Sequence, residues 1–466
     1  MSLHFTTLSL LLPVLASASP AAPSSAPAGD AVTQLTQAAL STNHAMQRLE
    51  VLVDDVGPRL AGSEGLSRAI AWAEGELQAE GLDVVRREAV KVPVWRRGEE
   101  RASIVAPLKR SLHVVALGNS VATPARGVTA PLVVVRSFDE LKARSAEAQG
   151  SIVLFQYDWP ASLPPFEAYD AVYAFRSRGA SEAARLGARA VLVRSPASRS
   201  LQSPHTGGVF YRDWAPKIPA ASITVEDAAM LERLVRRHGQ VRIQLVLRPT
   251  TAPDAPSANL VAEWRGREKP NEIVLIGAHL DSWDLSPGAN DNGVGVVATM
   301  EVLSLLKRLD LRPRRTVRLV LFTNEENGMR GAYAYAEKHG TERHVAAIEA
   351  DRGGGKPLGF TVEGGAEATV RVRELAAPLS SLGAAQVDEG FGGVDLLPLR
   401  DVRVLNIGLE SDAARYFELH HSAADTLDTI DPQVLQQQVA ALAVLTWQLA
   451  EDPREPPVVL EVKDDD

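Results

Sequence analysis

The segment Ile273-Val274-Leu275-Ile276-Gly277-Ala278 is apolar at every position. A strand with one wet face alternates apolar and polar side chains. An unbroken run of this length fits a parallel strand covered on both faces. The following sequence keeps that texture. Val294 to Leu309 has the spacing of an amphipathic helix, Thr316 to Thr323 of a second strand, Gly331 to His339 of a helix, and Val345 to Ala350 of a third strand. Such alternation predicts an α/β domain with a mostly parallel sheet and helices on both faces. A last helix is expected from Pro432 to Glu451, with proline in its first turn. The chain has 466 residues, too many for one compact core, so a second domain is expected.

The rest of the chain reads differently. From Ala31 to roughly Val90 apolar residues recur at helical spacing, as in Leu49, Leu52, Val53, Val56 and again in Leu66, Ile70, Ala73, Leu77. Gly57-Pro58 breaks the pattern between the two sets. From about Val94 to Leu247 come short β-rich runs (Leu132–Val135, Ile152–Phe155, Ala190–Val193) and one helix-like stretch, Gly179 to Leu186. That section reads as a self-contained insertion over 94–250. Thr250 to Pro256, rich in Pro, Thr and Ala, reads as a linker back to the α/β domain, which would then comprise 31–93 and 255–455.

Composition narrows the function classes. Leu8 to Leu15 followed by Ala16-Ser17-Ala18 fits a secretory signal over 1–18, with a Pro/Ala/Ser linker over 19–30 and a solvated acidic tail over 456–466. No later stretch approaches the roughly 20 apolar residues of a spanning helix, so no membrane partner is expected after signal cleavage. The formal charge is −9 and the basic residues are dispersed, which argues against a nucleic-acid partner. There is no cysteine. Disulfides, thiolate metal sites and a cysteine nucleophile are excluded, so any metal must be held by histidine and carboxylate.

Those residue types gather where the α/β pattern predicts strand ends. His279 and Asp281 follow the first buried strand, and Gly288-Ala289-Asn290-Asp291-Asn292-Gly293 precedes a helix. Asn324-Glu325-Glu326-Asn327-Gly328 closes the second strand, Glu349-Ala350-Asp351 the third, and Glu418-Leu419-His420-His421-Ser422 lies near the C-terminus. Taken singly each is ordinary: a glutamate pair is usually a solvated turn, and Asn-Asp-Asn usually caps a helix. Together they would place several carboxylates at one sheet edge, where they repel unless a cation joins them.

In this order, His279-x-Asp281, Asp291, Glu325-Glu326, Asp351 and His421 resemble the co-catalytic zinc exopeptidases, the family of secreted bacterial aminopeptidases and glutamate carboxypeptidases. The segments Gly277–Asp284, Leu311-Arg312-Pro313, Phe417–Ser422, Ile218–Asp227 and Val56–Ser63 carry the likeness across nearly the whole mature chain, nearest to a carboxypeptidase and dipeptidase branch. The resemblance implies two Zn²⁺ per chain. His279 and Asp351 would hold one, Glu326 and His421 the other, and Asp291 would bridge them. Glu325 would be the general base, and Asp281 would hold the far nitrogen of His279. His421 is preferred to His420 because the family's ligand directly precedes Ser or Thr. The insertion would be a protease-associated domain, the substrate a short peptide, and the assembly a homodimer by analogy. The helical dimerisation domain of the membrane-bound glutamate carboxypeptidase is absent, which leaves a glutamate preference unsupported. Asn292 stands where a second acid often follows the bridging aspartate. An aminopeptidase of the same family is the alternative reading. A non-catalytic binding protein on this fold and a single-zinc cyclase fit less well, because the whole ligand set is present. No Gly-x-Ser-x-Gly elbow supports a serine hydrolase.

Overall fold

The computed structural model describes Met1 and residues 28–455. The expected signal and tail lie outside these residues, and the expected linker meets them only at its end, where Ala28–Ser41 already forms a helix. Among the described residues no helix is long and apolar enough to cross a membrane.

Two eight-stranded sheets organise the described residues. The first contains β1 (Val84–Arg96), β2 (Thr250–Trp264), β3 (Lys269–His279), β4 (Arg315–Phe322), β5 (Arg343–Glu349), β6 (Pro357–Glu363), β7 (Gln386–Glu389) and β8 (Asn406–Ser411), in the order β1-β2-β4-β3-β5-β8-β6-β7. The four central strands β4, β3, β5 and β8 run parallel, and antiparallel strands flank them. The unbroken apolar run in β3 has the expected cause. Val274, Ile276 and Ala278 pack into one core with the helices Val294–Arg308 and Pro432–Glu451, while Leu275 points to the opposite face, toward Ala332 and Tyr335 of the helix Arg330–His339.

Two readings of the sequence are corrected here. The helical stretch expected to reach Val90 ends at Ala79, and Val84–Val90 belongs to β1. The residues read as a linker, Thr250–Pro256, form the first half of β2 and pair with β1. Their prolines are tolerated because this half has a partner on one side only, while β4 joins β2 from Leu260 onward. The register slips between Val92 and Val94, opposite Pro253 and Asp254.

Between β1 and β2 the chain leaves the first sheet and builds the second. Its strands run in the order 110–112, 100–106, 242–247, 128–135, 152–155, 190–194, 220–223, 114–116. The runs expected at 132–135, 152–155 and 190–193 pair in parallel, so this section is α/β as well as β-rich.

Arg48 joins the helices on one face of the first sheet. It is buried, and its guanidinium reaches Glu301 Oε2 at 3.0 Å, Glu76 Oε2 at 3.2 Å, Glu80 Oε1 at 2.5 Å and Ser304 Oγ at 2.9 Å. Removing it leaves Glu301, fully buried, with Arg308 as its remaining arginine. Arg48→Met is therefore expected to destabilise the fold by about 3 kcal/mol, the lower end for a broken buried pair, as read by urea unfolding. A loss below about 1 kcal/mol would show that the network is solvent-screened.

Candidate metal centre

The parallel register brings the strand ends together. His279 on β3 lies opposite Phe322 on β4, and Gly277 lies opposite Glu349 on β5. The loops that follow deliver Asp281, Glu325, Glu326 and Asp351 to one edge. β3 is followed in sequence by β4 on one side of it and β5 on the other, so this edge is a topological switch point, where an open α/β sheet leaves a crevice.

The structure brings the expected residues into one cluster. His279 Nε2 lies 3.2 Å from Asp351 Oδ1 and 3.3 Å from Asp291 Oδ1. His421 Nε2 lies 3.1 Å from Glu326 Oε2 and 3.2 Å from Asp291 Oδ2. Asp291 thus faces one histidine with each oxygen. His279, Asp291 and Glu326 offer ligand atoms within 4.8 Å of one another, as do Asp291, His420 and His421. Buried acids and imidazoles converging on one point are the chemistry that a cation with N and O ligands requires.

His420 stacks on His421, with ring centroids 3.5 Å apart. Its Nε2 is 3.6 Å from Asp291 Oδ2, farther than that of His421, and no contact with Glu326 accompanies it. Asp291 sits in the irregular turn Ala289–Gly293. The Asx cap expected of this motif is supplied by Asn292, whose Oδ1 accepts from Gly295 N at 3.2 Å while its Nδ2 donates to Ala350 O at 2.8 Å.

One expected contact takes another form. His279 Nδ1 meets the main-chain carbonyl of Asp281 at 3.0 Å, and the nearer oxygen of the Asp281 carboxylate lies 3.9 Å away. That carboxylate instead accepts the amides of Glu325 at 3.1 Å and Glu326 at 3.4 Å. The reason is local: the turn after β4 presents two free N–H groups to a fully buried acid, which must find donors.

The electrostatics follow from crowding. Burial pushes Glu325 well above the usual carboxylate range, and Glu326, Asp351 and Asp395 add to it. Burial and Asp291 lift Glu326 to about 7. Burial would also raise Asp291, but His279 and His421 outweigh it and hold that carboxyl well below its ordinary value. Burial opposes a charge on His279, yet Asp351 and Asp291 outweigh it and raise that imidazole well above its ordinary value.

The roles of several residues here escaped the sequence reading. Asp425 accepts the amides of Asn290 at 2.6 Å and Asp291 at 3.0 Å, fixing the turn that carries Asp291. Its spacing of four residues after His421 was the available signal. Arg59 is fully buried and donates to the carbonyls of Leu280, Pro287 and Gly288, tying down the loop after β3. Glu349 accepts the amides of Asp395 and Leu396, and Asp395 is itself a buried acid beside the cluster.

The polar loop after Ser203 reaches the site. His205 is buried and held at a pKa of about 4 by desolvation, so it is neutral. Its Nδ1 meets the carbonyl of His420 at 2.7 Å, and Thr206 N donates to the carbonyl of His421 at 2.8 Å. His421 has φ of 59°, a left-handed conformation that costs a non-glycine residue roughly 1–2 kcal/mol and persists only when its surroundings hold it. A cavity of about 660 Å³ opens over the cluster, lined by Glu325, Asp351, His421 and Gly393 from one side and by Tyr169, Arg176 and Phe210 of the inserted section from the other.

Comparison with known proteins gives a consistent picture. Residues 259–446 match the model of peptidase family M28. The chain is 40% identical to human carboxypeptidase Q over 423 residues, covering 90% of this chain and 88% of that one. The crystal structure of a peptidase M28 precursor from Shewanella amazonensis SB2B superposes with a TM-score of 0.88 at 36% identity, covering 93% of this chain and 99% of that one. A zinc aminopeptidase from Bacillus subtilis shares the fold, with a TM-score of 0.65 at 22% identity and coverage of 90% of this chain and 98% of that one.

Proposed function

Because the chain belongs to peptidase family M28 and is a zinc exopeptidase of the carboxypeptidase Q type, we propose that it hydrolyses dipeptides or short peptides at a site for two zinc ions. His279 and Asp351 would hold one ion, Glu326 and His421 the other, and Asp291 would serve both. The observation that carries this reading is that Asp291 turns one oxygen to His279 and the other to His421. Bound zinc supplies a polarised scissile carbonyl and a water acidic enough to attack near neutral pH.

The protein's own groups do the rest. Glu325 is half-buried at the cavity wall, where burial raises its carboxyl above the usual range and so strengthens it as a base. It takes the proton from the attacking water and returns it to the leaving amine. Asp281 fixes the amides of Glu325 and Glu326 and so sets where the base and its neighbouring ligand stand. We read the insertion expected over 94–250, which the flanking strands trim to 97–249, as the protease-associated unit, since its helix Pro165–Ser177 roofs the cavity and its 203–208 loop clasps the two histidines. The segment 1–18 is assigned as a signal for export.

Elemental analysis of the purified protein should return close to two zinc per chain. Hydrolysis of an unblocked dipeptide should vanish on chelation and return with zinc. One ion per chain at full activity, or activity indifferent to chelation, would sink the two-ion reading.

A further inference from the structure

Among the described residues, the cavity holds a cation with no hydrogen-bonded carboxylate, and Glu326 acts on it only through its field. Arg176, on the helix Pro165–Ser177, is 4% exposed. Its Nη2 donates to the hydroxyl of Tyr169 at 2.6 Å and its Nη1 to the carbonyl of Gly208 at 3.4 Å, so neither partner is charged. Its Nε has no hydrogen-bond partner. The other arginine of this cavity, Arg352, is already neutralised by Glu410 at 2.7 Å. A guanidinium carries five donors in a fixed fork, and burying it without a hydrogen-bonded counter-charge is costly.

The surroundings hold the fork rigid. The ring of Tyr173 lies 4.8 Å from the guanidinium carbon and that of Tyr169 5.8 Å. Gly207 lies against the guanidinium: a Cβ there would fall 1.9 Å from Nη1, so only glycine leaves room for the group. Tyr169 in turn stacks on Phe417, with centroids 4.7 Å apart, and meets His420 edge-on. The unpaired cation therefore stands beside the His420-His421 corner of the metal cluster, within the same cavity.

The geometry points to Arg176, steadied by the Tyr169 hydroxyl, as the receptor for the free α-carboxylate of the substrate's C-terminal residue. This rests on the exopeptidase reading above and supplies what that reading lacks, the group that selects the carboxyl end. A carboxylate is planar and accepts two parallel N–H bonds, which matches a fork with unused donors. A peptide with its scissile bond over the metal cluster places its terminal carboxylate one residue away, within a cavity of this size. The inserted section then decides substrate choice, and the first sheet provides the chemistry.

The test compares one dipeptide as free acid and as C-terminal amide, with wild type, Arg176→Gln and Tyr169→Phe, and records zinc content and melting midpoint for each. Wild type should favour the free acid by about 100-fold or more in kcat/KM, as expected for a charge-assisted pair. Arg176→Gln should bring that ratio close to one, chiefly through a higher KM for the free acid, with zinc content unchanged. Tyr169→Phe, which keeps the ring, should lower the ratio about five- to tenfold. If the wild-type ratio is large and both variants leave it unchanged, Arg176 is not the receptor, although the carboxypeptidase reading survives. If wild type does not distinguish acid from amide, the carboxypeptidase reading itself falls. Should Arg176→Gln fail to fold, the Tyr169→Phe ratio decides.

Discussion

Glu325→Gln is expected to slow peptide hydrolysis by about 10³-fold while leaving the zinc content of the protein unchanged. Glutamine keeps the volume and the hydrogen-bonding shape of the side chain and removes its capacity to carry a proton between water and the leaving amine. Glu325 is not among the groups that converge on Asp291, so the metal cluster should survive. A second readout separates a lost base from a damaged site. In the metal-free protein Glu325 is a carboxyl whose ionisation is opposed by burial and by Glu326, Asp351 and Asp395. Its neutral replacement should leave the metal-free melting midpoint equal to or above that of wild type near pH 7. Zinc lost together with activity, or a rate within tenfold of wild type, would remove Glu325 from the role of base.

Stripping the metal should make the protein less stable as pH rises, the reverse of the usual behaviour of paired carboxylates. Burial and neighbouring acids raise Glu325, Glu349 and Asp395 well above their ordinary values, Glu326 to about 7 and Asp425 to about 6. Each binds its proton more tightly in the folded chain than in the unfolded one. Between about pH 4.5 and pH 7 the unfolded chain has released protons that the folded chain retains, so unfolding free energy falls with pH. His279 and His421 are raised as well, against burial, by Asp351 and Asp291 and by Glu326 and Asp291. Their stabilisation is complete below their ordinary value and is lost as pH climbs through the raised one, which is the same direction. Asp291, held low, acts the opposite way at more acidic pH, and His205, His344 and His420, lowered by burial, oppose the trend below the ordinary histidine value, but the raised groups outnumber them. Glu326 alone corresponds to roughly 3 kcal/mol at neutral pH. Zinc supplies the missing positive charge and favours the deprotonated ligands, so the loaded protein should lose this decline. Melting curves at about pH 5 and pH 7.5, with and without chelator, test this. A metal-free midpoint higher at the upper pH would show that the acids are not crowded as described.

The sequence was most legible where burial is continuous and least where tertiary pairing decides. β3 could be read because both of its faces are covered, which forces apolar residues at successive positions. Its neighbours β4 and β5 followed from the same logic, and with them the strand ends that carry the histidine and carboxylates. β1 was hidden by Arg86, Arg87 and Glu88: Arg87 lies on the wet face, while Glu88 is buried through its pairs with Arg86 and His339, which no local pattern shows. The first half of β2 was hidden by Pro253 and Pro256, which look like linker residues until a single-sided pairing is seen. Asp395 has no local signature, and Asp425 and Arg59 gave only a spacing and a shared segment, because each acts on backbone or acids far away in the chain. Arg176 lies still further from any motif, on a helix whose relation to the site depends on how the two sheets meet.

The hold of Thr206 and His205 on the carbonyls of His421 and His420 has an evolutionary consequence. An insertion that only shaded the cavity could be shortened, exchanged or deleted with loss of selectivity alone. Here the loop fixes the main chain of His421, a proposed metal ligand, in an unfavourable conformation, so deletion would release that side chain as well. The insertion and the catalytic sheet must be inherited together, and chimaeras that swap the insertion between relatives will work only when the 203–208 loop travels with its matching Phe417–Ser422 segment.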